Sequence, residues 1–192
     1  MTTINEILTK KHDKCLDLFG GTGKMLSKDV RKHVKTMDIW DIHPENKALI
    51  KKNCPNSTIK ICNSYEEILK TRKRFDLIVC DNPINTNDKV EHFAIFEYIL
   101  GVCKKKATII IDVIPKKTEL SQKRVANNFN ELHNKNRLKF YMTGEPENIP
   151  IEHMADVYKA IIEDQGFKLD SWECKERNKN SYVHFMVLNV SK

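Results

Sequence analysis

The sequence predicts a single α/β domain over residues 1–192, with a seven-stranded, mostly parallel sheet flanked by helices. A short apolar stretch runs into three glycines within four positions, Gly20 to Gly23, as in a first parallel strand that turns directly into a helix. After it, short apolar runs alternate with segments of helical spacing, which is typical of strands connected by crossover helices. The run Phe75 to Cys80 is almost continuously apolar, which indicates a strand covered on both faces.

Composition narrows the class of protein further. Hydrophobic residues make up 40% and charged residues 31% of the 192 residues, which predicts a globular rather than a disordered chain. No apolar run approaches the roughly 18 residues of a membrane-spanning helix, and the first residues lack the basic and then apolar pattern of a signal peptide. Six cysteines form no C-x-x-C pair and favour reduced thiols of a cytoplasmic protein. We therefore expect no membrane association and no metal site.

The net charge of +7 favours a polyanionic partner, nucleic acid first. A second explanation stays open at this point. Lysine and asparagine are abundant throughout the chain, and an A·T-rich coding bias would produce the same charge without any partner.

The first elements follow from spacing. Residues 1–12 form a leading helix with Ile4, Ile7 and Leu8 on one face. The first strand runs from Cys15 to Phe19, and the helix after the glycines extends over about residues 22–33. The second strand, residues 34–42, ends in an acid.

The later elements alternate in the same manner. The predicted helices cover about residues 44–53, 65–73, 90–103 and 150–165, and the predicted strands cover residues 58–62, 75–80, 107–114, 167–173 and 182–190. Pro44 suits the first turn of its helix, and Pro115 ends the fifth strand. Gly166 is placed to cap the last helix.

The glycine turn excludes two common ligand loops. A phosphate-binding P-loop needs Gly-Lys followed by Ser or Thr, whereas Gly23-Lys24 is followed by Met25. A dinucleotide fingerprint needs a third glycine where this chain has Leu26. An acid, Asp17, stands shortly before the glycines, which suits a positively charged ligand better than a phosphate.

The pattern Asp17-x-Phe19-x-Gly21-x-Gly23 resembles the cofactor loop of class I S-adenosylmethionine-dependent methyltransferases. The resemblance implies that Asp17 lies near the methionine amino group of the cofactor and that the turn packs against the cofactor. The residues it assigns to cofactor binding here are Asp17, Phe19, Gly20, Gly21, Thr22 and Gly23. An ordinary strand-turn-helix without a ligand is the alternative.

Two further stretches extend the resemblance to the cofactor site. Asp41-Ile42-His43-Pro44 is similar to the D-I-x-P often found after the second strand in that family, which implies that Asp41 accepts hydrogen bonds from the ribose and that Ile42 contacts the cofactor. Asp38 is a competitor, although it lies in the middle of the strand. Asn63 and Ser64 stand where the family commonly has an acid bonded to the adenine amino group.

The stretch Asp81-Asn82-Pro83-Ile84 follows the fourth strand and resembles the (Asp/Asn)-Pro-Pro-(Tyr/Phe) motif of amino-directed nucleic-acid methyltransferases. The resemblance implies a catalytic set of Asp81, Asn82 and Pro83, with Asp81 also beside the cofactor, that orients the exocyclic amino group of a flipped base. Asn82 replaces the first proline of the motif, and Ile84 replaces the aromatic residue that stacks on the base. The alternative is that these residues merely end a strand.

Residues 115–150 form a basic insertion at the cofactor end of the predicted sheet. Seven lysines and arginines stand between Lys116 and Lys139, and Phe140 and Tyr141 follow them. Basic residues interleaved with aromatic ones suit a nucleic-acid backbone and stacked bases. We therefore predict that Lys123 and Arg124, with Ile84, contact the substrate. A solvated loop is the alternative.

Together these features predict a Rossmann-like domain whose closing two-strand hairpin places an antiparallel last strand in the sheet, as in class I methyltransferases. The expected activity is S-adenosyl-L-methionine-dependent methyl transfer to an amino nitrogen of DNA or RNA. Two alternatives remain: methyl transfer to a small molecule or a protein, and a binding subunit of the same fold without catalysis.

Overall fold

The computed structural model describes residues 3–24, 26–81, 92–118, 130–179 and 181–192. Seven strands form one sheet within these residues. The strands are β1 His12–Asp17, β2 Val34–Asp41, β3 Thr58–Ile61, β4 Phe75–Cys80, β5 Cys103–Val113, β6 Lys168–Glu176 and β7 His184–Ser191. The helices are α1 Thr3–Ile7, α2 Leu26–Val30, α3 Lys47–Asn53, α4 Ser64–Lys70, α5 Phe96–Gly101, α6 Asn130–Tyr141 and α7 Ile151–Asp164.

The strand order is β3-β2-β1-β4-β5-β7-β6. Strands β1 to β5 pair in parallel, and β7 is antiparallel to both of its neighbours, β5 and β6. The predicted fold class, including the antiparallel last strand, is confirmed. The order reverses between β1 and β4, and in open α/β sheets a crevice for ligands forms at the carboxyl ends of the strands at this point.

Both faces of the sheet are covered, which explains the continuous apolar runs. On β4, Ile78 points into one core cluster, with residues of α5 and α7. Its neighbours Leu77 and Val79 point into a second cluster, with residues of α1 to α3. Alternating side chains on a strand point to opposite faces of the sheet. A strand that is covered on both faces is therefore apolar at successive positions, as Leu77, Ile78 and Val79 are.

Several element boundaries differ from the predicted ones. Gly21 and Gly23 have φ values of +52° and +69°, so the turn continues through Gly23 and α2 begins only at Leu26. The leading helix is also shorter than predicted, since β1 already begins at His12. Strand β5 begins at Cys103 rather than at residue 107, because Cys103 pairs with Phe75 of β4 and Lys106 pairs with Ser191 of β7.

The six cysteines are all free thiols, and four of them are buried. Burial raises the pKa of Cys103 to about 12, so this thiol stays protonated and unreactive at neutral pH. Within the described ranges no helix combines the length and apolarity needed to cross a membrane. The same residues include no group of three His, Cys, Asp or Glu side chains that could hold a metal ion.

Candidate active site

The glycine turn lies at the carboxyl end of β1 and is packed too closely for a side chain at Gly20. A Cβ at Gly20 would lie 2.2 Å from Cγ2 of Ile39 on β2. The Gly20 N–H donates to the Trp40 carbonyl at 2.9 Å, and the Gly23 N–H donates to the Gly20 carbonyl at the same distance. The turn is therefore held against β2, and its glycines carry no side chains of their own.

Asp41, the last residue of β2, is connected directly to the glycine turn. Its Oδ2 accepts the Gly21 N–H at 2.7 Å. Its Oδ1 accepts the His43 N–H at 2.8 Å and the Asn46 side-chain amide at 3.1 Å. A carboxylate oxygen can accept two hydrogen bonds, so Oδ2 retains capacity for one more donor. The competitor Asp38 instead forms an ion pair with Lys73.

Asp17, the last residue of β1, is almost fully buried beneath the turn. Ser27 Oγ donates to its Oδ2 at 2.6 Å, and the Phe19 N–H donates to its Oδ1 at 3.2 Å. Burial raises the pKa of the Asp17 carboxyl to about 7, while these two hydrogen bonds oppose the shift. A carboxyl in such a place favours a cationic partner over an anionic one.

The other predicted cofactor residues follow the carboxyl ends of β1, β2 and β3 and differ in their contacts. Ile42 is 59% exposed, which is unusual for a large apolar side chain directly after a central strand. The Asn63 side chain caps α4 by accepting the Tyr65 N–H at 3.0 Å. The Ser64 hydroxyl is buried and donates to the Leu18 carbonyl. Thr22 lies in the turn, and its carbonyl accepts the Asn53 amide.

Asp81 follows β4 on the other side of the crevice, where a guanidinium binds it. Arg177 Nη1 donates to Asp81 Oδ1 at 2.8 Å, and Arg177 Nη2 donates to Asp81 Oδ2 at 2.6 Å. Arg177 Nη1 also donates to Asp112 of β5 at 3.1 Å. Burial lowers the pKa of Arg177, but the two carboxylates outweigh it and the net shift is upward. We call these three residues the Arg177 cluster.

Sequence reasoning missed Arg177. It lies in the β6–β7 turn, next to other charged residues such as Lys175, Glu176 and Lys179. No sequence motif distinguishes it from them. Only the pairing of β7 with β5, which places Phe185 opposite Asp112, brings this turn to the carboxyl end of β4. Arg177 also borders a cavity of about 180 Å³, together with Lys24, Phe185 and residues of α1 and α2.

The remaining predicted site residues lie outside the described residues. They are Asn82, Pro83 and Ile84 after β4 and Lys123 and Arg124 in the insertion. Their roles stay predictions.

The basic insertion divides into inward and outward side chains. Arg137 is fully buried, and its guanidinium donates to the carbonyls of Pro146 and Ile114 at 2.6 and 2.7 Å. Lys117 is also buried and donates to Asn134 at 2.6 Å. The exposed cations among the described residues of this segment are Lys116, Lys135 and Lys139. Part of the basic run therefore stabilises the segment itself.

The two aromatic residues in the described part of the insertion, Phe140 and Tyr141, pack in or against the core. The Tyr141 hydroxyl lies 2.9 Å from the Tyr158 hydroxyl of α7, and Tyr158 also bonds to His92. The Phe140 and Phe93 rings lie 4.5 Å apart, centroid to centroid. Tyr141 follows the basic run that the sequence analysis relates to nucleic acid, but its complete burial leaves it no exposed face for a base. Its position in the core follows from the packing of α6 against α7.

Comparison with solved structures identifies the fold. TYW2 from M. jannaschii, solved in complex with AdoMet, has a TM-score of 0.59 and 13% identity, covering 99% of this chain and 75% of that one. The N-methyltransferase NodS from Bradyrhizobium japonicum WM9 has a TM-score of 0.58 and 9% identity, covering 99% and 94%. Ribosomal protein L11 methylase from Lactobacillus delbrueckii subsp. bulgaricus has a TM-score of 0.53 and 13% identity, covering 98% and 74%.

By sequence, no family model and no curated protein matches the chain. At the identities found, the structural likeness shows the fold alone. The chain has the fold of class I S-adenosylmethionine-dependent methyltransferases. Its sheet of seven strands ends with an antiparallel last strand, β7.

Proposed function

We propose that this chain is an S-adenosylmethionine-dependent methyltransferase that acts on an amino nitrogen of nucleic acid. The observation that carries the proposal is the arrangement of three acids around one glycine turn. Asp17, Asp41 and Asp81 end or follow β1, β2 and β4, three neighbouring strands that include the pair, β1 and β4, between which the sheet order reverses. Of the three solved structures compared above, one is named an N-methyltransferase, one is named a methylase, and one was solved in complex with AdoMet.

The residues of the crevice fit this cofactor. A buried carboxyl at Asp17 suits a cationic ligand, and the remaining acceptor capacity of Asp41 Oδ2 suits a ribose hydroxyl. The exposed Ile42 side chain offers an apolar contact for a ring, and the bare backbone at Gly20 and Gly21 permits close approach. S-adenosylmethionine supplies a methyl group already activated by its sulfonium.

Asp81 is placed to bind the acceptor. Each of its oxygens accepts one bond from Arg177 and can accept a second from an N–H donor. An amino group held there keeps its lone pair for the methyl carbon. With S-adenosylmethionine bound, the nitrogen–carbon bond would form as the carbon–sulfur bond breaks. The electron pair of the broken bond would stay on sulfur as a neutral thioether, and the proton released from the nitrogen would pass to water. Because the methyl group is already activated, positioning supplies much of the rate.

A nucleic-acid acceptor is supported by charge. The net charge is +7, and exposed lysines of the insertion lie on the segment that follows β5, at the end of the sheet that holds Asp81. Cations in this position attract a phosphate backbone.

The test is transfer of a labelled methyl group to a panel of DNA, RNA, protein extract and small metabolites, with cofactor binding measured by calorimetry. We expect label in nucleic acid that disappears in Asp81→Ala and falls to a low but measurable level in Asp81→Asn, which keeps one acceptor oxygen. The Kd for the cofactor should stay within about threefold in both variants. A loss confined to transfer follows because Asp81 contacts the acceptor. Label at the wild-type level in both variants would contradict the role of Asp81.

Charge reversal of Lys123 and Arg124 tests the nucleic-acid part separately. We expect weaker binding of the labelled polymer and a shallower dependence on salt, by roughly one unit of slope for each lost phosphate contact. Reversal of Lys51 and Lys52, exposed on α3, is the matched control. Equal losses of binding affinity from the two pairs would show only a general effect of net charge and would contradict a specific contact of Lys123 and Arg124 with the polymer.

A protein or small-molecule acceptor is the second candidate. The inward orientation of Lys117, Arg137 and Tyr141 favours it, since it removes three residues from the predicted nucleic-acid surface. Label in the protein or metabolite fraction would establish this candidate. Absence of any cofactor binding would instead favour a binding subunit of this fold.

A further inference from the structure

The Arg177 cluster joins two acids on neighbouring strands through one guanidinium. Asp112 lies on β5 and Asp81 directly after β4, beside the point where Cys80 pairs with Ile111. The side chains of Asp81, Asp112 and Arg177 are 14%, 4% and 19% exposed. Two carboxylates this close and this buried repel each other unless a cation lies between them. Arg177 supplies such a cation, since it donates to both carboxylates.

The geometry of the contact goes beyond charge compensation. The Arg177–Asp81 pair is bidentate, with two bonds of 2.6 and 2.8 Å, and such a fork fixes the plane of a carboxylate. The guanidinium is itself held by Asp112 and lies 5.5 Å from the centre of the Phe185 ring. Lysine carries the same charge but offers no planar fork.

We infer that Arg177 is a positioning residue, which orients the Asp81 carboxylate so that its remaining acceptor sites face the amino group to be methylated. The inference rests on the proposed function, because it assigns Arg177 a part in that reaction. Arg177 does not itself contact the reacting atoms. It occupies one acceptor site on each Asp81 oxygen and thereby leaves a defined direction for the acceptor.

A double-mutant cycle separates this role from a general structural one. The four proteins are the wild type, Arg177→Gln, Asp81→Asn and the double variant, each tested with the acceptor polymer that the labelling panel identifies. We expect Arg177→Gln to lower kcat by about 10²-fold, the size expected when a positioned group shifts by about 1 Å. The Kd for the cofactor should stay within about threefold. In the Asp81→Asn background the same substitution should change kcat by less than about threefold, because the group it positions has gone.

Two further variants supply controls. Lys175→Gln removes a cation from the adjoining end of β6 that pairs only with Glu173 among the described residues, and it should leave kcat within about twofold. Arg177→Lys keeps the charge and loses the fork, so we expect it to recover little of the lost kcat. Where Arg177→Gln fails to fold, the cycle is repeated in an Asp112→Asn background, which removes one of the two buried charges.

The outcomes distinguish the two levels of the proposal. Independent, multiplying effects of the Arg177 and Asp81 substitutions in an active enzyme would overturn the inference and leave the proposed function intact. Full activity of Arg177→Lys would show that charge alone matters and would also overturn it. A wild type that binds no S-adenosylmethionine and transfers no label would overturn the proposed function, and the inference with it.

Discussion

The two halves of the crevice hold their acids by different means. On the glycine side, Asp17 is bonded to Phe19 and Ser27, and Asp41 to Gly21, His43 and Asn46, none more than 20 residues away. On the other side, Asp81 and Asp112 share Arg177, which lies 96 and 65 residues away from them. The hydrogen bonds on the glycine side join residues of β1, β2 and the segments that directly follow them. The contacts of Arg177 form only when β7 has paired with β5 in the sheet.

This difference predicts that substitutions on the two sides lower the stability of the protein by unequal amounts. Asp17 has two neutral hydrogen-bond donors and Asp41 has three, so losing one donor leaves the others in place. In the Arg177 cluster one guanidinium binds two carboxylates, so replacing Arg177 removes a charged hydrogen bond from both Asp81 and Asp112. Three measurements test the contrast, from the largest expected effect to the smallest.

Arg177→Ala compared with Ser27→Ala gives the largest expected difference. Removing the cation from a buried pair costs about 3–5 kcal/mol, whereas removing one hydrogen bond to Asp17 costs about 1 kcal/mol. The free energy of unfolding from denaturant titration measures both. Similar values for the two variants would show that the Arg177 cluster is no more critical than a single local hydrogen bond.

Gly20→Ala tests the rigidity of the glycine side. Its Cβ would lie 2.2 Å from Ile39 Cγ2, a branched methyl group in the core. Overpacking of this kind costs about 1–3 kcal/mol, and we expect the unfolding midpoint and the cofactor affinity to fall together. Gly101→Ala is the matched control, since nothing lies within 4 Å of its Cβ position. An unfolding midpoint equal to that of the control would contradict the close packing of the turn.

The pH dependence of cofactor binding gives the smallest effect and concerns Asp17. Its pKa is raised to about 7 by burial, so below pH 7 the carboxyl is mostly protonated before binding. A cationic ligand favours the ionised form, and binding then releases a proton. Affinity should therefore rise between pH 6 and pH 8, by up to about tenfold, with a slope that flattens above pH 7. Calorimetry in buffers of different ionisation enthalpy measures the proton release, and Asp17→Asn should abolish the Asp17 contribution. An unchanged slope in that variant would assign the titration to another group.

Whether a contact could be predicted from the sequence depends on how far apart its two residues lie along the chain. The glycine turn and Asp41 were predictable because their spacing reflects a local strand-turn-helix, and the alternation of apolar runs predicted all seven strands. Arg177 was not predictable, because its partner is determined by the β5–β7 register. Arg137 was counted among the basic residues of a predicted surface. It lies in the interior, where the backbone carbonyls of Ile114 and Pro146 accept its N–H donors. The spacing of apolar residues in the sequence does not indicate such backbone partners.

One guanidinium serving two acids also restricts how the chain can change over time. A substitution that removes the Arg177 charge is expected to cost least in a background where Asp112 has already lost its charge. Loss of the charge at Asp112 alone leaves a matched pair, since the fork on Asp81 remains. The favoured order of change is therefore Asp112 before Arg177. Homologues that lack the arginine should accordingly also lack the β5 acid, so the two positions are expected to covary.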